Sequence, residues 1–248
     1  MAISSSSIIH FTRTKAALKG ILKDNFKVKF CLETVCLVDN PVSHAFPMVS
    51  FCDIPLSQVK EHIDKYGSYG IGLTKEWAKR EGLSPVQYVA TGSLYARSLR
   101  KLVNSNVPNP PMKWDAINDT HRSVLDVMRY VKNYEADLTR NGTTRKNYRF
   151  YDEREWRYVP GFSEDFPMIA TGESYEKASL KTALNRAVSS LRLKFNPHDI
   201  KYIIVKTDSE ISEFVTAIRE SKGKHYSLED IERLTTRIIT REQIETDL

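Results

Sequence analysis

Short strand-like and helix-like segments alternate along this chain without a regular order, and that irregularity most strongly limits the folds open to it. Residues 26–32 alternate apolar and polar side chains, as in a half-buried strand. Ile211, Phe214 and Ile218 instead recur at the spacing of one helical face. A regular strand–helix–strand rhythm would indicate a doubly wound parallel sheet, and the sequence lacks one. The sequence therefore predicts an α+β fold. The predicted strands are 8–11, 26–32, 48–52, 85–89, 147–159, 202–205 and 237–240, and the predicted helices include 57–65, 75–81, 93–103, 120–133 and 175–189.

Length and composition point to one ordinary domain. With 248 residues, 41% of them hydrophobic and 27% charged, the chain is able to bury a core without a metal or a disulfide. No apolar stretch approaches the ~18–20 residues that cross a bilayer, so we expect no association with a membrane. We expect a single domain, 1–248, in which residues 1–7 are flexible because they contain a run of four serines.

Cysteine usage and the N-terminus predict a cytoplasmic protein. Cys31, Cys36 and Cys52 are an odd number of cysteines without CxxC spacing. That pattern favours buried thiols in a reducing compartment over disulfides or a zinc site, and no metal is expected. The first residues also lack the basic and apolar regions of a secretory signal.

Several common catalytic motifs are absent from the sequence. It contains no GxxxxGK[ST] phosphate loop, no GxSxG elbow, no HExxH pair and no complete GxGxxG turn. A dinucleotide-binding Rossmann unit is therefore not expected. Three other segments hold residue types that carry chemistry.

His10 is the first candidate and lies at the end of a predicted strand. A histidine in that place is able to donate a hydrogen bond to a ribose or phosphate oxygen. The alternative is a half-buried histidine whose ring is satisfied by a backbone carbonyl.

The second candidate runs from Phe51 through Tyr66 and Tyr69 to Gly72. Glycines let a backbone approach a flat ligand closely, and neighbouring aromatic rings can sandwich a planar base. In the alternative interpretation the tyrosines pack at helix ends and the glycines form caps and turns.

The third candidate is the segment from Asp152 to Tyr158. In an extended segment Glu153, Glu155 and Arg157 project from one face. Two carboxylates beside an arginine suit acid–base chemistry or the stabilisation of a cation. The alternative is a ladder of charges on an exposed sheet face.

A basic stretch comes just before the third candidate. Arg140, Arg145, Lys146 and Arg149 carry four positive charges, and no acidic residue lies between positions 138 and 151. Interleaved tyrosine and phenylalanine rings make this stretch a predicted cationic loop for single-stranded nucleic acid, RNA or DNA. A solvated surface loop is the alternative. The net charge of +6 agrees with either interpretation.

Taken in this order, the three segments resemble the AbiGi family of abortive-infection phage resistance proteins. The family is usually described as the antitoxin partner of a nucleotidyltransferase-like toxin. The resemblance covers most of residues 8–160. It rests on His10-Phe11-Thr12, Pro47-Met48-Val49-Ser50-Phe51-Cys52-Asp53-Ile54-Pro55-Leu56-Ser57, Tyr66-Gly67-Ser68-Tyr69-Gly70-Ile71-Gly72-Leu73-Thr74-Lys75-Glu76-Trp77 and Glu153-Arg154-Glu155-Trp156-Arg157-Tyr158.

The order histidine, tyrosine-rich segment, glutamate is also similar, more distantly, to the His-Tyr-Glu class of ADP-ribosyltransferases. That similarity implies an ADP-ribosyltransferase-like split, strongly bent β-sheet flanked by helices, with NAD as the substrate in its cleft. It implies that His10, together with Phe11 and Thr12, binds the adenosine-side ribose of NAD.

The same similarity implies that Tyr66 and Tyr69 flank the nicotinamide, although their three-residue gap is shorter than the class pattern. Tyr88 and Tyr95 are alternative candidates for one of them. Glu155 would stabilise the oxocarbenium-like transition state, and Glu153 would orient the attacking group. Replacing Glu155 with glutamine is then expected to lower turnover strongly while leaving the fold intact.

Two functions follow as hypotheses. The first is an NAD-dependent ADP-ribosyltransferase effector of anti-phage defence that modifies RNA or DNA, with a cognate toxin or antitoxin protein as partner. The alternative is a catalytically inactive AbiGi-type antitoxin that binds a toxin partner. The first requires His10 and Glu155 to meet in one groove.

Overall fold

The computed structural model describes residues 5–106, 118–140 and 142–247. The chain divides into two compact units, where the sequence had suggested one domain. The first unit combines residues 1–28, 49–84 and 190–248, and the second combines 29–48 and 85–189. Both contain helices and strands, so the predicted α+β class is confirmed. Each unit is assembled from separate stretches of chain, which explains why no linker is visible in the sequence.

An antiparallel sheet forms the centre of the first unit. Strand β1 (Ser7–Thr12) pairs along its whole length with β5 (Tyr69–Thr74). On the other side of β5 lies β14 (Ile200–Val205), which pairs in parallel with β15 (Ile238–Thr240). The end of β4 (Pro41–Cys52) adds to β1 through the pairing of Ile9 with Cys52. A short pair joins β2 (Phe26–Lys27) to β13 (Arg192–Leu193).

Side-chain caps set where the helices of the first unit begin. The hydroxyl oxygen of Thr14 accepts a hydrogen bond from the Ala17 N–H, and that of Ser227 accepts one from the Asp230 N–H. These caps agree with the sequence, since serine and threonine favour the position before a helix. The helices of this unit are α1 (Lys15–Asp24), α2 (Lys60–Tyr66), α3 (Lys75–Arg80), α8 (Ile211–Lys222), α9 (Leu228–Thr235) and α10 (Arg241–Asp247).

Removing one cap gives a simple test of this assignment. The Thr74 hydroxyl caps α3 by accepting a hydrogen bond from the N–H of Trp77, whose side chain is fully buried. We expect Thr74→Ala to lower the free energy of unfolding by about 1 kcal/mol, because a helix N–H loses its partner. Urea denaturation measures the change, and Thr216→Ala, which changes an exposed threonine on α8, is the control. Equal stabilities for the two variants would contradict the capping role.

The start of the chain is tied to the first unit. The Ser5 N–H donates to the Asp53 carboxylate, which also pairs with Lys75 at 2.6 Å. Ser7 is buried in β1. The predicted flexibility of residues 1–7 therefore does not extend to residues 5–7, because the sheet and Asp53 hold them. Residues 1–4 lie outside the described part of the chain.

The second unit is built on a long hairpin, to which one short strand adds, and on a separate pair of short parallel strands. Strand β3 (Lys29–Cys36) pairs antiparallel with the first eight residues of β4, and β12 (Ala170–Thr171) pairs with the same stretch. Strands β7 (Gln87–Val89) and β8 (Val131–Asn133) are parallel. The buried Asn133 amide bonds both the N–H and the carbonyl oxygen of Cys36, at 2.8 Å each, and so joins β8 to β3.

Four helices and a second hairpin complete the described part of the second unit. The core under α4 contains Val35, Val89, Ala96, Leu99 and Val131. The remaining elements are α4 (Leu94–Asn106), α5 (Asp119–Met128), β9 (Glu135–Arg140), β10 (Thr143–Arg149), β11 (Glu155–Tyr158), α6 (Gly172–Glu176) and α7 (Ala178–Ala187), with the two-residue β6 (Ser84–Pro85) at the boundary of the units.

Some predicted boundaries were wrong. The sequence predicts a polar loop at 138–146 and, at 147–159, either a strand pair or one long bulged strand; the structure instead has a hairpin, a 3₁₀ turn at Phe150–Glu153 and β11. The threonine and tyrosine residues of the β9–β10 hairpin favour strands, and Gly142, at a φ of 77°, lies at the turn between them. The single helix expected at 175–189 is two helices that meet at Lys177. The proline-rich turn expected at 107–111 lies outside the described residues. Within the described ranges, no helix has the length and hydropathy to span a membrane.

Candidate functional site

Glu155 and Arg157 form a buried ion pair at the start of β11. Their side chains lie on the same face of the strand because they are two residues apart. The Arg157 Nε donates to Glu155 Oε1 at 2.7 Å, and its Nη2 donates to Oε2 at 3.2 Å. Arg157 is fully buried, and only 6% of Glu155 is exposed. Two parallel N–H···O bonds of this kind give the pair a fixed geometry.

Arg157 also holds two further parts of the second unit. Its Nη2 lies 2.9 Å from Glu33 Oε2 on β3, and its Nη1 donates to the Arg129 carbonyl oxygen at 2.8 Å. One guanidinium therefore bonds the neighbouring Glu155 and two groups from distant parts of the sequence, the Glu33 carboxylate and the Arg129 carbonyl oxygen.

Lys132 on β8 brings the two predicted catalytic carboxylates together. Its Nζ donates to Glu155 Oε2 at 2.7 Å and to Glu153 Oε2 at 3.1 Å. The ammonium also lies 5.0 Å from the centre of the Phe150 ring. The lysine brings the two carboxylates together, but Glu153 lies in the 3₁₀ turn at Phe150–Glu153 and not on the extended strand face predicted for it. A catalytic role for either carboxylate stays a prediction.

The chain reaches this arrangement through an unusual backbone turn. Glu153 ends the 3₁₀ turn, and Arg154 then adopts a left-handed conformation with a φ of 43° before β11 begins. The Tyr148 hydroxyl donates to Glu153 Oε1 at 3.2 Å, and the Glu155 N–H donates to the Tyr88 hydroxyl at 2.8 Å. Left-handed backbone costs energy at a residue with a side chain, so the surrounding bonds must hold it.

Burial and neighbouring charges shift the pKa values of this cluster. Burial alone would raise the pKa of Glu155, but Arg157 and Lys132 hold it well below its usual range. Burial opposes the charged forms of Arg157 and Lys132, yet Glu155 and Glu33 raise the pKa of both cations. The pKa of Tyr88 is raised, chiefly by burial. Glu155, Arg157 and Lys132 therefore stay ionised at neutral pH.

We name five side chains the charge cluster: Glu33, Lys132, Glu153, Glu155 and Arg157. Its two cations each pair with two of its three carboxylates. Both Glu155 oxygens already accept hydrogen bonds from cations. A carboxylate in that state is poorly suited to stabilise a new positive charge, because its own charge is already compensated.

His10 lies in the first unit and matches the alternative interpretation given to it. Its Nδ1 lies 2.8 Å from the Ser50 carbonyl oxygen, and its ring contacts the rings of Phe26 and Phe51. Burial lowers the pKa of His10, so the ring is neutral at pH 7 with a proton on Nδ1. His10 and Glu155 belong to different units, and a shared groove stays a prediction.

The tyrosines predicted to flank nicotinamide do not lie side by side. Tyr69 pairs with Thr12 on the face of the sheet that α8 covers, where its hydroxyl donates to Glu210 and its ring lies near Phe214. Tyr66 stacks on His62 at the end of α2. That helix packs with Phe11 and Ile9 on the opposite face. Tyr69 on its strand and Tyr66 on its helix therefore lie on opposite faces of the sheet, and stacking of either ring on nicotinamide stays a prediction.

The four basic residues lie on the β9–β10 hairpin and not on a loop. Lys146 pairs with Asp137 at 2.5 Å, which offsets one of the positive charges. Arg145 and Arg149 are exposed on β10. Arg140 ends β9, and its side chain lies outside the described part of the structure. Nucleic-acid binding by these residues stays a prediction.

The sequence offered little sign of Lys132 and Glu33 as members of the charge cluster. They lie 23 and 122 positions from Glu155 in the sequence. The one available signal was chemical: two buried carboxylates and one arginine need a second cation to balance them. In the described residues, no group of three or more histidine, cysteine, aspartate or glutamate side chains could hold a metal ion.

Comparison of the sequence with known proteins places this chain in a family. The family model described as "Putative abortive phage resistance protein AbiGi, antitoxin" matches residues 24–206, a range that includes the charge cluster. A relative from Lactococcus lactis subsp. cremoris, "Abortive phage resistance protein AbiGi", is 26% identical over 225 residues, which cover 81% of this chain and 88% of the relative. No solved structure matches the chain. Because the family model covers about three quarters of the 248 residues, the protein belongs to the AbiGi family of abortive phage resistance proteins.

Proposed function

We propose that this protein is the antitoxin of an abortive-infection system and acts by binding a toxin protein. The description of the family model as an antitoxin carries the proposal. The resemblance noted in the sequence adds that such a toxin is of the nucleotidyltransferase-like kind. An antitoxin of this type needs a stable binding surface and no chemistry of its own.

The arrangement of Glu155 supports a structural role for the charge cluster. Its two oxygens accept hydrogen bonds from Arg157 and Lys132, and the carboxylate is buried. In a transferase the same carboxylate would have to strengthen its interactions as the transition state forms. A carboxylate already neutralised by two cations has little left to contribute.

Co-expression tests the proposal directly. The toxin gene from the same locus is expressed from an inducible promoter, with or without this protein. We expect the toxin alone to stop growth and the pair to grow, and we expect the two purified proteins to elute together from a sizing column. This protein arresting growth by itself, or failing to rescue cells from the toxin, would contradict the proposal.

NAD-dependent ADP-ribosyl transfer to RNA or DNA is the rival prediction, together with the bent sheet and the NAD cleft that it implies. Incubation of the purified protein with labelled NAD and cellular RNA or DNA separates the two. An antitoxin leaves the nucleic acid unlabelled. Transfer of label by the wild-type protein would select the enzyme.

A further inference from the structure

A pocket in the second unit lies between α4 and the β3–β4 hairpin. Its volume is about 140 Å³, and an apolar cavity of ~150 Å³ is large enough for a benzene-sized group. Side chains of both strands and of two helices form its apolar walls. These are Val35, Leu37, Val42, Phe46, Val103 and Met128.

The rim of the pocket is polar and open on one side. Asn40, His44, Arg100 and Asn104 also line the pocket, and we call the basic side of this polar lining its rim; the wall residue Val42 is 49% exposed. The carboxylate of Glu33, which also lines the pocket, is paired with Arg157. Apolar walls with a few polar groups around the opening are typical of pockets that accept an anchoring side chain from a partner.

The helix beside the pocket is strongly basic. Arg100 lines the pocket. Arg97 lies one helical turn before Arg100, and Lys101 follows Arg100 directly, so all three cations are neighbours on this part of α4. From Leu94 to Asn106 the helix contains no carboxylate. In the described part of the chain, none of these three cations forms an ion pair, and the Arg97 guanidinium donates a hydrogen bond to the Gly92 carbonyl oxygen. The charges of Arg100 and Lys101 are therefore available to an acidic partner.

We propose that this pocket and its basic rim form the toxin-binding surface, and the proposal rests on the antitoxin function proposed above. The occupant is a segment of the toxin that presents one large apolar side chain, of the size of leucine or phenylalanine, flanked by carboxylates. The apolar side chain enters the pocket, and the carboxylates meet Arg100 and Lys101. The apolar walls favour a protein segment over nucleic acid, whose charged backbone would gain nothing from Val42 and Phe46.

Two variants test the surface against the purified toxin from the same locus. Val42→Glu places a charge in the wall of the pocket, and the double variant Arg100→Glu, Lys101→Glu reverses the rim. We expect each to raise the Kd for the toxin at least about tenfold, because desolvated anchors and complementary charges dominate such interfaces. The rim variant should lose most of its effect at high salt, since screening weakens rim charges.

Matched controls separate binding from folding. Leu180→Glu changes a side chain of similar exposure, 42%, on α7 of the same unit, and Lys224→Glu reverses an exposed charge elsewhere. Both should bind the toxin within about twofold of the wild type. Thermal unfolding of every variant should show one transition near that of the wild type, because each changed side chain is partly or fully exposed.

The possible results decide between the two proposals. Wild-type binding that survives in Val42→Glu and in the rim variant would overturn this surface and leave the antitoxin function standing. A wild-type protein that neither binds nor neutralises the toxin would overturn both. Binding of a labelled single-stranded RNA that is lost in the rim variant, with toxin binding unchanged, would make the surface a nucleic-acid site and overturn the proposal.

Discussion

Replacing Arg157 with methionine is expected to lower the free energy of unfolding by about 3–5 kcal/mol, the largest effect that the structure predicts. The side chain is fully buried and bonds Glu155, Glu33 and the Arg129 carbonyl oxygen. Methionine fits the space but leaves Glu155 with Lys132 as its remaining cation. An incompletely compensated buried charge is costly because it has lost its contact with water.

Chemical denaturation with a matched control measures this effect. The control, Arg219→Met, removes an exposed arginine from α8 and should change stability by no more than about 0.5 kcal/mol. The double variant Arg157→Met, Glu155→Met removes both partners and leaves Lys132 with Glu153. We expect the double variant to be more stable than Arg157→Met by at least about 1 kcal/mol. A double variant that is less stable than Arg157→Met would contradict this expectation.

Glu155→Gln is expected to lower the stability by about 2–4 kcal/mol at neutral pH and to change how stability depends on acid. The sequence alone predicted that this variant leaves the fold intact. The structure changes that expectation, because the neutral amide cannot balance both Arg157 and Lys132.

The sign of the acid dependence follows from the direction of the pKa shift. The cations Arg157 and Lys132 hold the pKa of Glu155 well below that of an unfolded glutamate, which is about 4.3. The carboxylate therefore stabilises the fold fully above about pH 4.3, and this contribution is lost as the pH falls toward the lower folded pKa. Between those limits we expect the stability of the wild type to fall more steeply than that of Glu155→Gln.

Urea midpoints measured from pH 7 down to pH 3 provide the test. The control is Glu173→Gln, since the Glu173 side chain is 87% exposed and forms a solvent-exposed ion pair with Lys177. Its acid limb should match that of the wild type. A Glu155→Gln protein with wild-type stability and a wild-type acid limb would show that the charge cluster does not hold the second unit together, and the carboxylate would again be a candidate for catalysis.

Several predictions from the sequence were confirmed because they depend on neighbouring residues alone. Threonine or serine before an apolar helical pattern predicts caps at Thr12 or Thr14, at Thr74 and at Ser227, and the structure has them at Thr14, Thr74 and Ser227. The two-residue spacing of Glu155 and Arg157 placed them on one strand face. These features need only local backbone geometry.

The hairpin from residue 135 to 149 shows where local patterns mislead. Its polar, charged residues read as a loop, yet cross-strand pairs such as Thr139 with Thr144 align in a ladder. Because both faces are largely polar, no apolar alternation marked the strands.

The α+β class, the family and the contacts between residues a few positions apart could be read from the sequence. The division into two units, the bridge that Lys132 makes between Glu153 and Glu155, and the placement of Tyr66 and Tyr69 on opposite sides of the sheet became visible only in the folded chain. Helix caps and strand faces follow from short-range geometry, whereas a buried charge takes whichever partner the packing of distant segments brings within hydrogen-bonding distance.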